Sequence, residues 1–286
     1  MCAFHALTEI SGLKNWRIGR ARLDLETLHL SAPSPTPFLT AEHLGDDVVF
    51  VADPFRAVVR GATYVLAEAW SRFAGRGQIA AFEIGPLGQV VKSAIVLAEP
   101  FHLSYPCVFE LDGDFYLLPE AWESGKLTLY KAQAFPWAWE RCKVLFELDY
   151  ADPQVFLHDG VWYLFLNTDP LTNATASLYW AESPLGRWRA HPQSPIYAGD
   201  ALRARSAGPL LRHCGRILRF SQDCRQRYGQ AVFASEIVEL SPTCIRTEPL
   251  GPVGLDVPLW ASTAFHHLDV FSEGEGDVCY ALFDGY

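Results

Sequence analysis

The chain of 286 residues is 50% hydrophobic and carries 18 Phe, 9 Trp and 11 Tyr, ample for a sizeable core and unlike a disordered segment. Its formal charge of −10 argues against nucleic acid as a partner, because a surface that binds phosphates must be basic. No apolar run approaches the roughly 20 residues that span a bilayer, and Met1 to Ile10 lacks the basic and apolar regions of a secretory signal.

In chain order, Trp16-Arg17-Ile18-Gly19-Arg20 and its neighbours alternate as strands do, and the proline-rich stretch Ser31 to Pro37 reads as a surface connection. A repeat then begins. Asp53-Pro54 is followed after six residues by Gly61 and Ala62-Thr63-Tyr64-Val65-Leu66-Ala67-Glu68. Tyr105-Pro106 leads at the same spacing to Gly113 and a strand ending Leu118-Pro119-Glu120, and Asp152-Pro153 leads to Gly160 and a strand ending at Asn167. Ala207-Gly208 opens a degenerate fourth copy running to Gln222, and Gly276 to Leu282 marks a fifth.

Each copy reads as two strands joined by a tight turn, Asp112-Gly113 being the clearest hairpin signal. A third strand follows near Ile79–Phe82, Leu127–Lys131, Leu178–Ala181 and Ala231–Ser235, and a fourth beyond it. Four strands recurring about every 50 residues are the signature of propeller blades. The expectation is an all-β, five-bladed β-propeller of four-stranded antiparallel blades, one domain over residues 1–286. Residues around 15–30 are expected to complete the last blade. The seven cysteines include no C-x-x-C pair, which excludes a zinc ribbon and points to reduced, buried thiols and a cytoplasmic setting.

The innermost strand of a propeller blade lines the central channel, so its polar residues converge on one axis. This gathers Asp53, Tyr105, Asp152 and, in the fourth copy, Ala207 at one repeat position, and Glu68, Glu120, Asn167 and Gln222 at another. Acids among apolar strand residues are costly to bury, and a ring of them can split into proton donors and acceptors. Arg205, Asp223 and His267, the second of the pair His266-His267, join the candidates. No metal-ligand spacing accompanies the histidines, and no cofactor is expected. Trp70, Trp122, Trp137, Trp139, Trp162, Trp180, Trp188 and Trp260 offer apolar faces for sugar stacking or for packing between blades.

The Asp-Pro-x6-Gly blade pattern resembles the five-bladed propellers of glycoside hydrolase family 43. A more specific resemblance lies in Glu99-Pro100-Phe101-His102-Leu103-Ser104-Tyr105-Pro106, the Phe115 to Glu120 strand, Tyr130-Lys131-Ala132, Phe135-Pro136, His158-Asp159-Gly160, Gln222-Asp223-Cys224 and Tyr228-Gly229. These resemble the N-terminal domain of glucosamine inositolphosphorylceramide transferases and its stand-alone bacterial relatives, over roughly residues 45–270.

The family 43 resemblance implies Asp53 as the base, but Ala207-Gly208-Pro209 stands where Glu-Gly-Pro would carry the acid. A hydrolytic mechanism would therefore recruit Glu120, Glu68, Asp152 or Asp223; Glu120 or Asp223 is the expected acid, with Arg205 as substrate clamp and Glu68, Tyr105, Gln222 and His267 as binding residues. The expected function is glycosidase-like or transglycosylase-like action on a glycan or glycoconjugate. The alternative is a non-catalytic sugar-binding propeller that assists a glycosyltransferase.

Overall fold

The computed structural model describes residues 15–272 and 278–286. Five antiparallel sheets form five blades. Blade one comprises Val48–Val59, Ala62–Ser71, Arg76–Ile84 and Val90–Leu97; blade two comprises Ser104–Leu111, Asp114–Glu120, Lys126–Ala134 and Ala138–Glu147. Blade three runs Ala151–His158, Val161–Asn167, Thr175–Ala181 and a short outer pair, Arg189–Ala190, with Tyr197–Ala198 also on its third strand. Blade four is Leu211–His213, Arg216–Gln222, Val232–Leu240 and Ile245–Pro252.

Blade five is assembled from both ends of the chain. Leu268–Ser272 and Cys279–Gly285 supply its inner strands, and Arg17–Asp24 and His29–Ser31 supply the outer ones, with Gly254–Leu255 added in parallel at the edge. Arg17 to Leu23 pair residue by residue with Gly285 to Cys279, so closing the ring requires the two ends of the sequence to meet. Ile18 and Leu282 then pack with Val48, Val65 and Phe82 of blade one, burying the seam in apolar contact. The N-terminal closure expected from the sequence is thus present; the Gly276-Asp277 part of the fifth copy lies outside the described residues.

The second strands are buried on both faces and read as continuous apolar runs, such as Val65-Leu66-Ala67 and Tyr163-Leu164-Phe165. Outer strands face solvent, and Ala138–Glu147 is largely exposed. The first hairpins of blades one to four turn through Arg60-Gly61, Asp112-Gly113, Asp159-Gly160 and Cys214-Gly215, all with φ between 48° and 83°. Positive φ at both central residues matches the twist of the flanking strands.

The cysteine expectation needs correction. Cys107 and Cys279 are buried, whereas Cys142 and Cys214 are exposed and Cys224 and Cys244 are partly so. Turns and outer strands, not the core, hold most of the thiols described.

Candidate functional site

The repeat places its first set of residues through a strained bulge. Asp53, Tyr105 and Asp152 adopt φ of 52°, 46° and 44°, left-handed values that side chains beyond Gly and Asn avoid. Each interrupts its ladder between the first two strands, with register shifts between Ala52 and Phe55, Ser104 and Cys107, and Ala151 and Gln154.

In blade four the equivalent residue is Gly208, with φ 110°, not Ala207. The fourth copy is one residue out of step with the others. A Cβ at Gly208 would lie 2.1 Å from the Leu268 carbonyl oxygen, so no side chain fits there. The position is held instead by Tyr105, whose hydroxyl donates to the Gly208 carbonyl (3.0 Å) and accepts its N–H (2.9 Å), while Gln154 also donates to that carbonyl.

The second set stands opposite the residue preceding each bulge: Glu68 faces Ala52, Glu120 faces Ser104 and Asn167 faces Ala151. Blade five supplies a member that the sequence reading missed. Asp284 follows Phe283, which pairs with Leu268, and so stands at the same level. It lies eight residues after Gly276, where the other copies have seven, and that offset could have revealed it.

These residues bond from blade to blade. The Asp284 carboxylate accepts the backbone N–H of Asp53 (3.0 Å) and of His267 (3.0 Å), and the His266 Nδ1–H (2.9 Å). Asp53 accepts the N–H of Tyr105 (3.1 Å) and lies 3.5 Å from His266 Nε2 and from His267 Nδ1. Glu120 accepts the N–H of Asp152 (3.1 Å). Arg205 donates from Nε to Asp152 (2.6 Å) and from Nη1 to Asn173 (2.7 Å), and reaches Glu120 at 3.3 Å. Gln222 adds a bond to Asp152 of 2.8 Å. Arg205 is therefore engaged in holding acids rather than presenting free donors to a substrate. Its guanidinium is covered by the Tyr228 ring at 4.8 Å.

Electrostatics divides the carboxyls. Burial pushes Asp53 up, but the His267 ring beside it and the charges of the two histidines outweigh it and hold the group at about 2. Burial, then the charge of Asp53, raises Glu68 well above the usual carboxylate range. Glu120 is raised likewise by burial and by Asp152, against the pull of Arg205. Burial works against a charge on His266, but the Asp284 carboxylate beside it prevails and raises its pKa. The cluster thus favours the charged form of Asp53 and the neutral forms of Glu68 and Glu120.

Asp223 does not share this environment. Arg225 grips it at 2.9 and 2.8 Å, and that pairing holds its carboxyl below the ordinary value, so it is no proton donor near neutral pH. His267 is fully buried against the rings of Phe55 and Tyr105, and the nearest carboxylate to its ring is Asp53, whose Oδ1 lies 3.5 Å from Nδ1. The donor atoms of Asp53, His266 and Asp284 lie within 4.8 Å of one another, close enough to surround a cation, but N–H donors already engage both carboxylates.

Of the tryptophans, Trp162 and Trp188 are core residues, Trp260 stacks on Phe283 and Trp139 bonds the Pro136 carbonyl on the outer strand. Trp70 packs on His102, and Trp122 sits in the turn after Glu120. The sequence reading passed over Trp16, whose ring lies 4.2 Å from that of His266.

Fold and site define a five-bladed β-propeller with a cluster of buried carboxyls near its axis. Residues 29–285 match the family described as "Glucosamine inositolphosphorylceramide transferase 1, N-terminal", and the chain belongs to that family. It is 32% identical to glucosamine inositolphosphorylceramide transferase 1 of Arabidopsis thaliana over 248 residues, 82% of this chain and 32% of the relative. The Oryza sativa subsp. japonica protein of the same name matches at 32% over 82% of this chain and 33% of its own length. The chain thus spans about a third of the length of the plant proteins it matches.

Among solved structures, it resembles an α-L-arabinofuranosidase of Podospora anserina, with a TM-score of 0.62, 11% identity and coverage of 87% of this chain and 95% of that one. A family 43 β-xylosidase/α-arabinofuranosidase from a compost metagenome gives a TM-score of 0.60 at 15% identity, covering 87% of each chain. At such identities the likeness concerns the fold.

Proposed function

We propose that this chain acts on the glycan part of a glycoconjugate by glycosidase-like or transglycosylase-like chemistry in the axial pocket. The observation that carries this reading is one buried cluster in which histidines hold Asp53 below the usual carboxylate range while burial and neighbouring acids push Glu68 and Glu120 above it. Breaking a glycosidic bond needs one carboxyl that keeps its proton and another that has lost it. Three non-glycine residues held in left-handed conformations around the pocket support the reading, because backbone strain of this kind collects at functional sites. The names of the plant relatives point to glycoconjugate assembly as the setting, with a glycosyltransferase as the partner activity.

A second reading, a sugar-binding propeller without chemistry, is favoured by one observation: Arg205 and Gln222 clamp Asp152, and Ala207 stands where family 43 carries its acid. The test is turnover of a panel of 4-nitrophenyl glycosides, beside glycan-array binding, for the wild type and Asp53→Asn. Turnover lost by the variant with binding retained supports catalysis. Binding without turnover in either protein supports the second reading.

A further inference from the structure

Four of the five axial carboxyls accept a hydrogen bond from a backbone N–H, Arg205, Gln222 or a histidine. Glu68 is the exception. It is 7% exposed and accepts no hydrogen bond among the described residues; His102 Nε2 lies 3.7 Å from Oε1. The orientation of His102 is settled by its other nitrogen. Nδ1 accepts the N–H of Gly77 at 2.9 Å, so the ring proton sits on Nε2 and faces Glu68. The backbone N–H of His102 is tied to Glu123 at 2.9 Å, and its ring packs on Trp70 with centroids 5.5 Å apart. Gly77 is the floor on which these groups meet: a Cβ there would lie 2.6 Å from His102 Cε1 and 2.7 Å from Glu68 Oε1.

We infer that Glu68, on blade one, is the catalytic proton donor that blade four lacks, and that His102 is its positioning residue. The inference rests on the catalytic reading above. With the His102 Nε2–H directed at Oε1, the carboxyl proton of Glu68 resides on Oε2 and is free to face a substrate. Glu120 is less suited, because its Oε2 already accepts the Asp152 N–H and faces Arg205.

In the reaction, the bond from the anomeric carbon to the leaving oxygen breaks with its electron pair on that oxygen. The oxygen takes the proton of Glu68. Water supplies hydroxide to the anomeric carbon, its proton passes to the Asp53 carboxylate, and exchange with solvent then restores both groups.

Leaving-group dependence tests this. The probes are 2,4-dinitrophenyl glycosides, whose leaving group needs no protonation, and the matching phenyl glycosides, whose leaving group does. Glu68→Gln is expected to lose about 10²–10⁴-fold in kcat/KM on the phenyl substrates and little on the dinitrophenyl ones. His102→Leu is expected to lower kcat on phenyl substrates and move the basic limb of the pH profile upward, because a donor that favours ionised Glu68 is gone. That profile is also set by Asp53, Glu120, Asp284 and Asp152, whose charges face Glu68. His102→Gln, which keeps a donor at the same place, is expected to restore both.

Equal losses on both substrate classes in Glu68→Gln, or no loss, would overturn the inference while leaving the catalytic reading standing. An unmoved pH limb in a folded His102→Leu protein would overturn the role of His102. Absence of turnover by the wild type on every substrate would overturn the catalytic reading itself, and the inference with it.

Discussion

Glu68 and Asp284 occupy corresponding places on the second strands of their blades, yet their surroundings are opposite. Asp284 is fully buried and accepts three backbone N–H groups and the His266 ring. Glu68 is nearly as buried and accepts none, facing four acids instead. The fold supplies a position, and the neighbours brought in by other blades decide whether the group there is a brace or a reactive acid. Blade five is where the ring closes, so a carboxylate that ties its own histidines to Asp53 of blade one serves as a latch. Blade one has its own hairpin continuous in sequence and does not need such a latch.

Removing the latch should give the largest effect. Asp284→Asn would strip His266 of its counter-charge and put an amide among N–H donors; a loss of about 3–5 kcal/mol in urea unfolding is expected. A loss below about 1 kcal/mol would break the comparison.

A pH series sharpens it. Burial raises Asp269, which accepts the Arg56 N–H across the same seam, to about 6, so its folded form favours the proton. Stability from this group falls as pH rises from about 4 through 6, by about 2–3 kcal/mol. His266 is also raised, so its contribution is full below its unfolded value of 6.5 and fades as pH climbs through the folded one. Asp53, held at about 2, works in the other sense, its contribution being lost only as pH falls below 3.8 toward 2. The melting temperature should therefore be higher at pH 5.5 than at pH 8, as thermal scans would read; the reverse order would remove the electrostatic basis of the latch.

Gly77→Ala places a methyl 2.4 Å from the Leu103 carbonyl oxygen and should cost about 1–3 kcal/mol, together with a displaced His102. Smallest of all, Glu68→Gln should stabilise the protein by about 1 kcal/mol at pH 8, where burial of an acid among acids is least favourable. A destabilised Glu68→Gln would mean that Glu68 braces the fold as Asp284 does.

Much of the architecture was legible without coordinates because blades are local. Two strands and a Gly-containing turn write their pattern within about 20 residues, and the copies place Asp53, Asp152, Glu68 and Glu120 by counting. Counting failed where copies slip: Gly208 is out of step by one residue, and Asp284 follows its glycine one residue late. His102 lay in a stretch quoted for resemblance, but nothing in that stretch pointed to Gly77 or Glu68, which belong to the preceding blade.

The sequence by itself determined the number of blades, the meeting of its two ends in blade five, and a ring of polar positions around one axis. Only the tertiary structure decided which of those groups are paired and which stand among like charges. The partners that surround them lie far along the chain, Asp53 against His266 and Asp284, and Asp152 against Arg205. A buried carboxyl's charge depends on the few ångströms around it, and those distances exist only once the ring has closed.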